Sequence, residues 1–294
     1  MINFPSFIFY LFYIYIVQSS YNWIDRLLLD NNSLYSTFNK ERQLYIQKNL
    51  IKCIILSILS SYAIYVIIQG ILFNFWNNEI LYFMGLIYSI PDVISLIKVP
   101  NLAISTKLHH MSVAILSILN IFNDYTKPTF WRGIVIYAAI SILSHLVNCY
   151  LAFRFLYPNS KLSNNLCKIS LYSYILFCIL NWIYQYQIIF THLSTTFSQL
   201  DFYIYISLIH LIIWDDYKLI TFLSHAVDKY KLMIAYKTIC ENHNETNISN
   251  KHKLLWLLRI NNFFKEAVQI NNMNSEKYSN YINLSISQLP PTTL

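Results

Sequence analysis

Only three glycines, at positions 70, 85 and 133, occur in 294 residues, and that scarcity removes whole classes of chemistry. Neither a phosphate-cradling loop nor a dinucleotide-binding fingerprint can be assembled from glycines so few and so far apart. No Gly-x-Ser-x-Gly elbow is present either. Charged residues are equally sparse, at 12% against 56% hydrophobic, with a mean hydropathy of +0.40. A soluble domain carries about a quarter of its residues as charges, so the composition points to a polytopic membrane protein. The abundance of Ile, Tyr, Asn and Phe reads as codon bias in an AT-rich genome rather than as chemistry.

The five cysteines, 53, 149, 167, 178 and 240, are odd in number and form no Cys-x-x-Cys pair. They read as small buried residues, not as a disulfide framework or a zinc site. The net charge of +7 gathers at block borders and in the last sixty or so residues, not in a stripe interleaved with aromatics. Nucleic acid is therefore excluded as a partner.

What the chain does contain is apolar blocks near the roughly 20 residues that cross hydrocarbon. Seven can be marked, at 4–21, 50–75, 80–97, 102–122, 131–157, 166–190 and 200–222, the last interrupted by Asp215, Asp216 and Lys218. The expected fold class is all-α, a polytopic bundle of about seven transmembrane helices. No basic n-region precedes the first block, so it reads as a span and not as a cleaved signal peptide. Lys40, Arg42, Lys48 and Lys52 follow span one, Lys98 and Lys107 join spans three and four, and Arg154, Lys161 and Lys168 join five and six. The segments 74–79 and 191–199 carry no Lys or Arg. The positive-inside rule then sets the N-terminus in the lumen and the C-terminus in the cytosol, although Lys127 and Arg132 fit poorly.

Three regions follow: 1–43, a first span with a cytosolic connector; 44–225, the membrane domain; and 226–294, a polar cytosolic tail. Within the first, residues 25–47 alternate Leu, Tyr and Phe with charges, as an interfacial segment or a plain connector would. In the tail, 254–270 has apolar residues near helical spacing and predicts one amphipathic helix, followed by a disordered end.

Ionisable residues at membrane depth are expensive and usually face a polar interior. His109 and His110 open the fourth block, and Asp92 lies about two turns from the cytosolic end of the third. His145, about 21 Å along the fifth block from Trp131, falls in the same half of the membrane. Ser141, His145, Asn148 and Ala152 recur at three- and four-residue steps, which on one continuous helix makes a single polar and small stripe. Arg154 lies across that helix from His145, placed to snorkel or to pair with Asp92 or a lipid phosphate. Asn181 and Gln185, four residues apart, predict interhelical hydrogen bonds. No HxxxH or HExxH spacing occurs, so no metal and no cofactor is expected.

Three stretches together resemble the TLC-domain family, shared by ceramide synthases, translocating-chain-associated membrane proteins and TLC-domain-containing proteins of lipid homeostasis. They are Tyr88-Ser-Ile-Pro-Asp92, Lys107-Leu-His-His-Met111, and the run from His145 through Arg154 to Leu156. The likeness covers about 44–225. In the non-synthase branch the third stretch reads roughly Glu-Leu-Ser-Thr-Pro-Phe-x-Asn-x-Arg-Trp; Leu146, Tyr150 and Arg154 fall in matching places, while His145 replaces Glu, Asn148 replaces Thr and Ala152 replaces Asn. Ceramide synthases instead carry His-Asp-x-x-Asp here, and Leu146 and Cys149 stand where both aspartates belong. That departure argues against ordinary ceramide synthase chemistry.

The resemblance implies a protein of the endoplasmic reticulum or a related endomembrane that binds or senses lipid and affects membrane lipid composition. Asp92, His145, Asn148 and Arg154 would meet the lipid, together with His109 and His110. The alternative is an acyltransferase using acyl-CoA, with His109 or His110 as nucleophile or base acting on an amine or hydroxyl. A translocon or export accessory role is a third expectation, resting on the basic tail.

Overall fold

The structure is a computed structural model that describes residues 4–158, 160–196 and 200–242. All regular structure among the described residues is helical: α1 (Phe4–Asn31), α2 (Ser33–Ser36), α3 (Lys40–Ile67), α4 (Asn78–Lys98), α5 (Ile104–Asn120), α6 (Arg132–Ile142), α7 (His145–Leu156), α8 (Lys161–Thr196) and α9 (Leu200–Asn242). A π-helical turn, Ile68–Leu72, extends α3. Residues 1–227 form one compact unit, and α9 continues beyond it into a second that begins at Asp228. The 254–270 stretch lies outside the described residues.

The abundant asparagines serve as helix starts. The side chains of Asn32, Asn39 and Asn77 accept from backbone N–H groups in the first turns of α2, α3 and α4, at 3.0–3.2 Å. Each such cap is worth about 1 kcal/mol. They also account for a departure from expectation. The connector over 25–47 is mostly helix, because α1 runs on to Asn31 and the Asn39 cap starts α3 at Lys40. This carries Lys48 on the same helix as Lys52.

Among the described residues, three helical stretches are long and apolar enough to cross a membrane: 40–72, Asn78–Lys98 and 161–193. The pair α6 and α7 makes a fourth if its two pieces count as one bent span. Large apolar side chains such as Ile58, Leu72, Ile97 and Phe190 stand at least 71% exposed, a surface suited to hydrocarbon rather than water.

The fifth apolar block is not one helix. It breaks at Leu143 and Ser144, and the two halves meet at 42°. The break shifts the helical phase, so the stripe drawn through Ser141, His145, Asn148 and Ala152 is not one face. Ser141 accepts from Asn181 on α8, His145 turns to Ser60 on α3, and Ala152 packs with Tyr35, Ile46 and Leu156. Nearly every residue of α6 is buried, as befits a helix that is apolar all round.

α3 packs against α1, α4, α6 and α7, and α4 pairs closely with α5. Gly70 in the π turn lies under Trp76; a Cβ there would sit 3.0 Å from the indole. In α4, Pro91 has no N–H to give the Ile87 carbonyl, and Tyr13 of α1 donates to that carbonyl instead, at 3.3 Å. In hydrocarbon each backbone polar group needs a partner from the protein, and here a neighbouring helix supplies it. The next residue is Asp92.

Candidate polar site

Asp92 is fully buried, and its Oδ1 takes two partners. Lys52 Nζ of α3 lies 2.5 Å away and His110 Nδ1 of α5 lies 3.1 Å away. On the other side of the imidazole, Lys48 Nζ approaches His110 Nε2 at 3.5 Å. An ammonium can only donate, so Nε2 is the acceptor and the ring proton sits on Nδ1, on the Asp92 side. Four side chains thus run in sequence from Lys48 through His110 and Asp92 to Lys52.

His109, one residue earlier on α5, points elsewhere, as the 100° step between helix neighbours requires. Its Nδ1 lies 3.4 Å from Asp215 Oδ2 of α9. The two imidazole rings stand edge to face with centroids 5.5 Å apart. Asp92 Oδ2, His109 Nδ1 and His110 Nδ1 are buried and make no well-aligned hydrogen bond. Buried polar atoms left in that state cost about 1–3 kcal/mol each, which singles out this cluster as a candidate binding site.

Asp92, His109 and His110 offer ligand atoms that all lie within 4.8 Å of one another, a donor set that histidine–carboxylate metal sites use. Lys52 already occupies Asp92 Oδ1, however, and Lys48 faces the same imidazole. Two ammonium groups this close oppose a divalent cation. A polar organic group fits the surroundings better.

A second buried carboxylate lies next in sequence to Asp215. Asp216 accepts from Tyr174 at 2.7 Å, from Tyr137 at 2.9 Å and from the Trp182 indole at 3.2 Å. These donors come from α6 and α8, so the cage ties three helices together. Below it in the bundle, Asn181 donates to Tyr137 O and Gln185 to Gly133 O, the interhelical bonds expected of that pair. Tyr205 of α9 closes the set by donating to Gln185 at 2.5 Å.

The remaining expected residues lie apart from the Asp92 cluster. His145 Nδ1 lies 3.3 Å from Ser60 Oγ, eight residues beyond Lys52 on α3, or about 12 Å along the helix. Asn148 is half-buried on α7. Arg154 does not pair with Asp92. Its guanidinium stacks over Phe155 and Phe222, 4.6 Å from each centroid, and lies 3.4 Å from Tyr45 Oη. Aromatic faces hold that charge, while Lys52, one helix nearer, has taken the carboxylate.

Outside the spans, Asn78 and Thr126 donate to the Asp124 carboxylate and hold it down to about 2. Lys48, Lys52, Asp215 and Asp216 enter the picture only through the fold. The signal that could have found them is a lysine pair four residues apart at the edge of one apolar block and an acidic pair inside another.

Searches of protein families, of curated proteins and of solved structures find no match for this chain.

Proposed function

We propose that the protein is a multi-pass membrane protein of the TLC-like kind, with seven spans, a lumenal N-terminus and a cytosolic C-terminus in the endoplasmic reticulum or a related endomembrane, and that it binds lipid at the Asp92 cluster. The observation that carries this reading is the buried Asp92 Oδ2, which has no hydrogen-bond partner, beside His109 Nδ1 and His110 Nδ1, whose contacts to Asp215 and Asp92 are poorly aligned. A carboxylate oxygen accepts, and an imidazole nitrogen donates or accepts. A group that does both, a hydroxyl or an amide at the polar end of a lipid, suits the trio.

Charge narrows the choice. Lys48 and Lys52 stand against Asp92, Asp215 and Asp216, so the fixed charges do not favour a bare anion. A neutral or zwitterionic head group is therefore expected, with its acyl chains along the exposed apolar faces of α3 and α4.

Full-length protein purified in mild detergent should retain a defined lipid class, identified by mass spectrometry of the extract. Replacing His109 and His110 by Ala should reduce that lipid about thirtyfold per folded protein, since each of the two lost hydrogen bonds is worth about 1 kcal/mol. An unchanged lipid complement in a folded double variant would defeat the reading.

One observation favours acyl transfer as a second reading. The contact of Asp92 with His110 Nδ1 orients the imidazole so that Nε2 is free of its proton, the form a nucleophile or base needs. A radiolabelled acyl-CoA should then leave an adduct that disappears in His110→Ala.

A further inference from the structure

Lys48 and Lys52 lie one turn apart on α3, yet their surroundings differ. Lys52 has Asp92 at 2.5 Å. Lys48 is only 8% exposed and, among the described residues, has no carboxylate within 4.0 Å. Its polar neighbour is His110 Nε2, and the Tyr45 ring lies 5.4 Å from its Nζ. A lysine in this position is a buried amine beside a second cation and beside a base, the combination that makes lysine side chains nucleophilic. His110 is well placed to relieve it. A proton moved from Lys48 to Nε2 leaves the charge on an imidazolium 3.1 Å from the Asp92 carboxylate, rather than on an amine with no counter-ion.

We propose that Lys48 is a carbonyl-reactive amine that takes the aldehyde or ketone end of an aliphatic molecule as an imine. Lys48 gives a proton to His110 Nε2, and its nitrogen lone pair forms a bond to the carbonyl carbon. One of the two protons left on that nitrogen passes to the carbonyl oxygen, giving a neutral carbinolamine. His110 returns its proton to the hydroxyl, which leaves as water as the C=N bond forms. No oxidant or reductant is needed, and hydrolysis reverses the sequence. The aliphatic class follows from the setting, since the lysine sits on a helix whose other faces carry exposed Ile54 and Ile58. The assignment rests on the geometry around Lys48 and stands whether or not a resident lipid is found.

The test uses the full chain in detergent micelles, dodecanal as probe and sodium cyanoborohydride to reduce any imine to a stable dodecyl amine, read by peptide mass spectrometry. Lys48 is expected to be alkylated about tenfold faster than Lys52 or the exposed Lys40, because His110 Nε2 is placed to take its proton while Lys52 is held by Asp92. His110→Gln should slow the reaction at Lys48 and move its pH profile upward, leaving the other lysines unchanged. Site selectivity is read on the unmodified sequence and needs no variant to fold. Alkylation spread evenly over the lysines overturns the proposal, and so does a folded His110→Gln protein with the original rate and profile at Lys48.

Discussion

Two buried carboxylates, Asp92 on α4 and Asp216 on α9, have the same charge and nearly the same burial but opposite kinds of company. Neutral phenols and an indole surround Asp216, all three donating, and both of its oxygens are used. Asp92 has charged or titratable partners crowded on one oxygen, and its other oxygen has none. A cage of fixed neutral donors holds three helices in register and leaves nothing for a ligand to do. The Asp92 arrangement gains from a visitor. Saturation, not burial or charge, is what separates the Asp216 cage from the carboxylate proposed to bind.

The largest effect that would break this comparison is on stability at Asp216. Asp216→Ala strands two hydroxyls and an indole N–H, each at a cost of about 1–3 kcal/mol, and should lower the thermal midpoint in detergent more than any change at Asp92. The surviving folded fraction should keep its lipid. A variant that loses lipid without losing stability would exchange the roles of the two carboxylates.

At Asp92 the order reverses. Asp92→Asn should cost only about 1–3 kcal/mol, because the amide oxygen can still accept from Lys52, but lipid retention should fall about tenfold. Replacing the pair together, Asp92→Leu with Lys52→Met, should restore stability to within about 1 kcal/mol or raise it, since a buried ion pair rarely exceeds a packed apolar pair. Lipid retention should stay low. Recovery of binding along with stability would show that the cluster is only a strut.

The smallest effect belongs to a third carboxylate, Asp124, which accepts from the neutral Asn78 and Thr126, has Lys127 at 3.7 Å and is half-exposed. Its folded-state value near 2 lies below the ordinary value of about 4, so its contribution is fully present above about pH 4 and is lost as pH falls toward 2. Asp124→Asn should flatten that acid limb of a stability-against-pH curve and leave neutral pH almost untouched.

Much of the Asp92 cluster is legible in the amino-acid order itself, and the reasons are particular. The succession Asp92, His109, His110 and the depth of each follow from block boundaries, and adjacent helices bring equal depths together. The two lysines are hidden because topology reasoning counts them by side of the membrane, whereas Lys48 and Lys52 act by helix face. Asp215 and Asp216 read as interruptions of an apolar block because periodicity penalises charge without asking what faces it. His145 falls in the wrong place for a different reason. The break at Leu143 and Ser144 contains neither Pro nor Gly, so nothing local announces that the helix along which its depth is measured is two helices.

Pro91 leaves a gap in the hydrogen-bond ladder of α4 one residue before Asp92. Among the described residues, the hydrogen-bonded brace that α1 lends it is the Tyr13 hydroxyl on the Ile87 carbonyl. α1 therefore acts as a buttress: the contact that closes the gap in the ladder of α4 comes from a neighbouring helix, just before the carboxylate that Lys52 and His110 share. A helix that stands outside the run from Lys48 to Lys52 thereby supports the segment that carries Asp92.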